Sequence, residues 1–205
     1  MSESLPHVPG AEAFLEREWH RLAGPGSWFT GPERVAIAAT TRAARDGRPA
    51  SPLLRDEVAE AAARLSVDAP QIDSTWVADL ERRGLDGFAL VEVMGIVSRL
   101  RAVDTYLFGL GRPERPLPDP VDGEPDGVRV DGAKIDGGFV PTVGAAWPDT
   151  ALTAVAVEQE AYFDITAAFY MTGPEMGQLD MVRGLDRAQI ELVAARTSLL
   201  NDCFF

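Results

Sequence analysis

The chain has a single cysteine, Cys203, in 205 residues. One cysteine cannot build an internal disulfide framework, and this points to a reducing, cytoplasmic setting. Long apolar runs are also missing. The most apolar stretch, Phe88 to Leu110, is interrupted by Glu92, Arg99, Arg101 and Asp104. It reads as a buried helix rather than a membrane span. The first ten residues have neither the basic nor the apolar region of a secretory signal. Positive charge is scarce: 19 Lys and Arg face 32 Asp and Glu, a formal net charge of −13. That excess repels phosphate backbones and anionic lipid, so nucleic acid and membrane surfaces are excluded as partners. No phosphate-cradling glycine loop, serine-nucleophile elbow or His-Glu-x-x-His motif occurs. His7 and His20 have no companions at ligand spacing. Asp122-x-Glu124-x-Asp126-Gly127 opens like a calcium loop, but Ala133 stands where a bidentate glutamate is required and Pro125 intrudes.

What remains is helical. Apolar residues make up 46% and charged residues 25%, ordinary for a packed core. Pro6 to Leu22 carries Phe14, Leu15, Trp19 and Leu22 at helical spacing. Thr30 begins a second helix through a Thr-x-x-Glu box with Glu33, has Pro32 in the first turn, and ends at Asp46-Gly47. A third helix is expected over Arg55–Leu65, a fourth capped by Ser74, and a long fifth capped by Asp86 and ending near Gly109. Arg112 to Gly138 is rich in proline, glycine and aspartate and reads as an exposed linker, with a short extended piece expected at Val128 and Val130. Helical patterning resumes near Asp149 and includes an aromatic stripe of Tyr162, Phe163, Phe169 and Tyr170, for which core packing is the default. A last helix starts at Asp186, whose spacing to Gln189 repeats the capping-box pattern.

The two boxes point to an internal repeat. Aligning Thr30 with Asp186 places Glu33 on Gln189, Ile37 on Val193 and Thr41 on Thr197. Upstream, Glu12-Ala13-Phe14-Leu15 resembles Glu160-Ala161-Tyr162-Phe163. The organisation expected is therefore a first helical unit over 1–111, a linker over 112–138 and a second, incomplete unit over 139–205. Gly47 to Gly111 follows the aligned helix in the first unit. Nothing corresponding follows Phe205, so a C-terminally truncated version of a longer protein is expected.

The segment Glu191-Leu192-Val193-Ala194, followed by Thr197 and by Asn201-Asp202-Cys203, resembles the alkylhydroperoxidase D / carboxymuconolactone decarboxylase-like family. Members carry a Glu-Leu-Val-Ala helix, then Asn-x-Cys-x-x-Cys and a histidine beyond it. Glu191 and Cys203 lie twelve residues apart, the spacing found in that family. The close match covers about twenty residues. The second cysteine and the histidine fall past Phe205. In the first unit Val35 and Gly47 occupy the glutamate and cysteine positions, so that unit resembles a catalytically empty copy.

The resemblance implies an all-α fold, a tandem repeat of an alkylhydroperoxidase-like helical unit. It implies a thiol-dependent peroxidase or disulfide redox enzyme that takes a peroxide substrate and an external dithiol reductant. Glu191 would relay a proton and Cys203 would be the first motif cysteine and disulfide partner. No metal, haem or flavin is implied, and a homo-oligomer is. Twelve residues of straight helix span ~18 Å, so Glu191 and Cys203 could meet only across a break, which Asn201-Asp202 could supply. Cys203 in the first turn of a new helix would be favoured as thiolate. On its residues alone, Glu191 is equally an ordinary helix glutamate paired with Arg187 or Arg196. Two other readings stay open: a decarboxylase-like enzyme without redox chemistry, and a non-catalytic helical oligomerisation module.

Overall fold

A computed structural model describes residues 10–201. His7, Asp202, Cys203, Phe204 and Phe205 lie outside the described residues. The order is α1 (Ala11–Ala23), α2 (Gly31–Arg45), α3 (Asp56–Val67), α4 (Ser74–Arg82), α5 (Gly87–Gly109), α6 (Ala156–Phe169), α7 (Gly173–Met176) and α8 (Arg187–Leu200). A two-residue hairpin, Val182–Arg183 against Leu185–Asp186, turns at Gly184 and leads into α8. The fold is mostly helical, as the sequence implied.

The helix starts follow local chemistry. The Thr30 hydroxyl accepts the Glu33 N–H at 3.4 Å, and Glu33 Oε2 accepts the Thr30 N–H at 2.9 Å. The same reciprocal box closes on α8, where Asp186 Oδ1 accepts from Gln189 N at 2.9 Å and Gln189 Oε1 from Asp186 N at 3.0 Å. Asp86 caps α5 by accepting the Phe88 N–H at 2.8 Å. Two expectations move. The cap of α4 is Asp73, which accepts the Trp76 N–H, so Ser74 is the first helical residue rather than the cap. A carboxylate competes well with a neighbouring hydroxyl for this place, because the helix end carries partial positive charge. Helix α6 begins at Ala156 and not near Asp149. The Thr150 and Thr153 hydroxyls bond to nearby backbone groups, including Val143 N and Ala145 O, and this local alternative holds residues 150–155 in turns.

Helix α5 is the pillar. Leu90, Val91, Val93, Ile96, Val97, Leu100 and Val103 are buried around its circumference, so it is enclosed rather than amphipathic. Helix α2 packs on α1, α3 and α5, and α6 packs on α1 and α5. Phe14 of α1 meets Phe169 of α6 edge to face at 5.2 Å, and Phe169 stacks on Tyr106 at 4.5 Å. Val140, Leu152, Ala154, Val155 and Ile165 share one apolar cluster with the residues of α1 to α5.

The 112–138 segment carries no helix or named strand and runs across this body. The Trp19 indole donates to Pro116 O at 2.6 Å, Val121 N to Ala23 O at 2.8 Å and Gly127 N to Ser27 O at 2.8 Å. Val128 is exposed, and Val130 N donates to Ala154 O at 3.4 Å. Among the described residues no helix is long and apolar enough to cross a membrane.

Helix α8 differs from its sequence counterpart. Nine residues of α2 are buried and none of α8 is. Leu192, Val193, Leu199 and Leu200 are exposed. The helix is held at its start, where Arg187 Nη1 donates to Met176 O at 2.9 Å and to Glu175 O at 3.3 Å.

The two capping boxes therefore carry different weight. Thr30→Ala is expected to lower global stability by about 1 kcal/mol in urea unfolding. Asp186→Ala should leave that transition within about 0.5 kcal/mol while raising amide exchange along α8.

Candidate functional site: a buried ionic cluster and an apolar groove

Four helices meet around five charged side chains. Glu18 comes from α1, Arg34 from α2, Glu92 and Arg99 from α5, and Glu158 from α6. Each side chain is 0–6% exposed. Arg34 Nη1 pairs with Glu92 Oε1 and lies 3.1 Å from Glu158 Oε1. Arg99 Nη1 pairs with Glu158 Oε2, and its Nε donates to Glu18 Oε1 at 2.7 Å. The Trp28 N–H donates to Glu92 Oε2 at 2.7 Å. Burial of charge on this scale is tolerable only because each group meets an opposite one.

Two glycines clear the space. A Cβ on Gly95, in the middle of α5, would collide with the Glu158 carboxylate and the Arg99 guanidinium. A Cβ on Gly26 would strike Glu92 and Arg34. Glycine in a helix interior costs about 1 kcal/mol against alanine, a cost the close crossing of Glu158 explains.

Three carboxylates face two fully buried guanidiniums, and only the partly exposed Arg21, 3.8 Å from Glu18 Oε2, adds a third cation at the edge, so the buried interior is short of positive charge. The electrostatics follow that imbalance. Burial disfavours the Glu158 carboxylate, but Arg99 and Arg34 outweigh it and hold its pKa below the usual value. Burial pushes Glu92 up to about 7, with Arg34 opposing and the Glu158 charge adding to the rise. Burial also raises Glu18 against the pull of Arg99, and its Oε2 makes no hydrogen bond among the described residues. The cluster thus favours the protonated forms of Glu92 and Glu18 and the ionised form of Glu158. Both Glu158 oxygens and one oxygen each of Glu18 and Glu92 are held by guanidinium groups. Among the described residues no group of three His, Cys, Asp or Glu is placed to hold a metal ion.

The second feature is a groove of about 960 Å³ between α5, α6, the Pro148–Ala151 turn and the C-terminal part of α8. Met94, Val97 and Arg101 of α5 form its floor, Tyr162 and Phe169 of α6 one wall, and Thr197 and Asn201 of α8 border it. Volumes of this order are typical of small-molecule sites. Asn201 stands two residues before Cys203 in the sequence.

The residues singled out from the sequence fall as follows. Glu191 lies on the exposed surface of α8, where Arg187 Nε donates to its Oε1 at 2.7 Å, and it is not among the groove-lining residues. Its neighbour Tyr170 has a raised pKa, from burial first and then from the Glu191 charge. Cys203 lies outside the described residues, so its distance from Glu191 is undefined. In the first unit, Val35 is half-buried and Gly47 is exposed with φ +66°. His20 is exposed on α1. Of the aromatic stripe, Tyr162 and Phe169 face the groove, while Phe163 is 56% exposed. Asp126 accepts from Val128 N within its own turn.

The ionic cluster was missed from sequence, although α5 carried a signal. Glu92, Gly95 and Arg99 are spaced three and four residues apart in an otherwise apolar helix, which puts them on one face. Their partners on α1, α2 and α6 have no such mark.

Comparison with known proteins gives no match: no family model, no curated protein and no solved structure corresponds to the chain.

The cluster makes stability depend on pH in a defined direction. Glu92 has a folded pKa of about 7 against an ordinary 4.5. Its protonated form is the one the fold prefers, so its contribution is full below about pH 4.5 and is lost as pH rises through about 7. Urea unfolding of the wild type is expected to weaken between about pH 5 and 8, and Glu92→Gln to flatten that decline. A second test reads the crossing itself. Gly95→Ala should cost roughly 3 kcal/mol or more in the same unfolding measurement, despite alanine's better helix propensity.

Proposed function

We propose that the chain is a thiol-dependent peroxidase of the alkylhydroperoxidase D-like kind, built as a tandem helical repeat. The observation that carries this reading is that Asn201, two residues before Cys203 in the sequence, borders an apolar groove. Further support comes from the Glu191-to-Cys203 spacing and from the matching capping boxes of α2 and α8.

In the proposed chemistry the Cys203 thiolate attacks the outer oxygen of a hydroperoxide. An S–O bond forms, the O–O bond breaks, and the alcohol leaves with a proton delivered through Glu191. Cysteine is oxidised to sulfenic acid and the peroxide is reduced. One thiol of an external dithiol then displaces water from the sulfenic acid to give a mixed disulfide. The second thiol releases Cys203 as thiol and leaves the reductant as a disulfide. With one cysteine in the chain, this route needs no resolving residue of its own.

A homo-oligomer belongs to the same reading. The exposed Leu192, Val193, Leu199 and Leu200 favour burial of α8 in an assembly, and they equally favour the alternative of a non-catalytic oligomerisation module.

The two readings separate by activity. With dithiothreitol as reductant and cumene hydroperoxide as substrate, Cys203→Ser is expected to abolish peroxide consumption and dimedone labelling. Glu191→Gln should slow turnover by roughly a hundred-fold with labelling retained. Turnover that survives Cys203→Ser overturns the peroxidase reading.

A further inference from the structure

We propose that the groove along α5 is a binding site for a linear amphiphilic carboxylate, with the aliphatic chain lying in the groove and the carboxylate on Arg101. This deepens the redox reading by naming the ligand class of the groove that α8 borders, and it rests on that reading only for its catalytic meaning.

Three observations support it. First, the groove is longer than its main cavity. A second cavity of about 510 Å³ shares Leu65, Ala69, Met94, Pro148 and Ala151 with the first and continues past Leu90 to Trp76. From Leu90 to Arg101 the floor follows α5 for about 16 Å, long enough for an extended chain of about a dozen carbons. Second, the lining is predominantly aliphatic and aromatic, and Arg101, at one end of the floor, is the one charged residue among the residues lining the two cavities. This distribution suits a long apolar body with a single polar head.

Third, the charge at that end is positive in a strongly acidic protein. Arg101 forms no hydrogen bond or ion pair with another described residue. It lines both the groove and an adjoining cavity of about 460 Å³, whose other charged residues are Arg45, Asp104, Arg112 and Glu114. Asp104 is already held by two of the three Arg42 nitrogens, Nη2 at 2.7 Å and Nε at 3.0 Å, and Glu114 is paired with Arg45. Arg112 is paired with Glu12 at 2.9 Å. Arg101 is thus the guanidinium left over at this end. A planar carboxylate is the ligand group that matches its two parallel donors.

The test measures binding and not turnover. The 205-residue chain is titrated with 11-(dansylamino)undecanoic acid, and the bound probe is displaced with dodecanoate, 1-dodecanol or dodecyltrimethylammonium. Dodecanoate is expected to compete at least about ten-fold better than the alcohol, and the cation not at all. Arg101→Gln should remove that advantage, weakening dodecanoate about ten-fold while leaving the alcohol unchanged. Ser98→Trp, at an exposed position of α5 on the groove, should block all ligands. Circular dichroism confirms that each variant is folded. The proposal is overturned if folded wild type binds no probe, if alcohol and carboxylate compete equally, or if Arg101→Gln binds dodecanoate as the wild type does. Binding that survives in an inactive Cys203→Ser protein upholds this site even if the redox reading falls.

Discussion

The fold depends on the way Arg34 and Arg99 share Glu158. One carboxylate on α6 accepts from two guanidiniums that belong to α2 and α5; Arg34 shares its Nη1 between Glu158 and Glu92, and Arg99 reaches Glu18 through Nε. The residue that closes the network lies beyond the 112–138 segment, so α6 cannot shift without removing from each of two buried cations one of its two carboxylate partners. A buried pair stabilises little relative to an apolar replacement, but losing one partner is severe. The cluster thus specifies how the helices meet more than it adds to stability. Gly26 and Gly95 exist in their places because side chains there would occupy the same volume.

The cluster also explains why α5 is enclosed. A helix that presents Glu92 and Arg99 to α1, α2 and α6 must be surrounded by them, and its other faces are then left to α3 and to the groove. With three carboxylates against two fully buried guanidiniums, burial favours protonation of Glu92 and Glu18 rather than of Glu158, because Glu158 alone faces both of those cations.

Helix α8 stands apart from this body. It has the capping box and nearly the length of α2 but none of its burial, and its first turn is tied to the preceding turn through Arg187. The same local code therefore produced one helix at the centre of a core and one at its margin. Its apolar residues wait on contacts that the described residues do not supply. Its last turn, by contrast, meets the groove through Thr197 and Asn201.

Helix type and helix starts were legible in the sequence because they are decided within a few residues. Thr30–Glu33, Asp186–Gln189 and Asp86 each complete their hydrogen bonds inside one turn. Where local groups competed, as at Asp73 against Ser74 or in the threonine-bonded turns before Ala156, the boundary moved by one to several residues. The sequence also singled out Glu191 and Cys203 as chemistry, through their spacing. The buried cluster and the groove were decided by tertiary structure alone. Glu18 and Glu158 are 140 residues apart in sequence, and only the packing of α1 and α6 on α5 brings both to Arg99. A charged residue in a sequence carries no mark of the solvent it will lose, so its partners and its proton are settled only when the helices close around it.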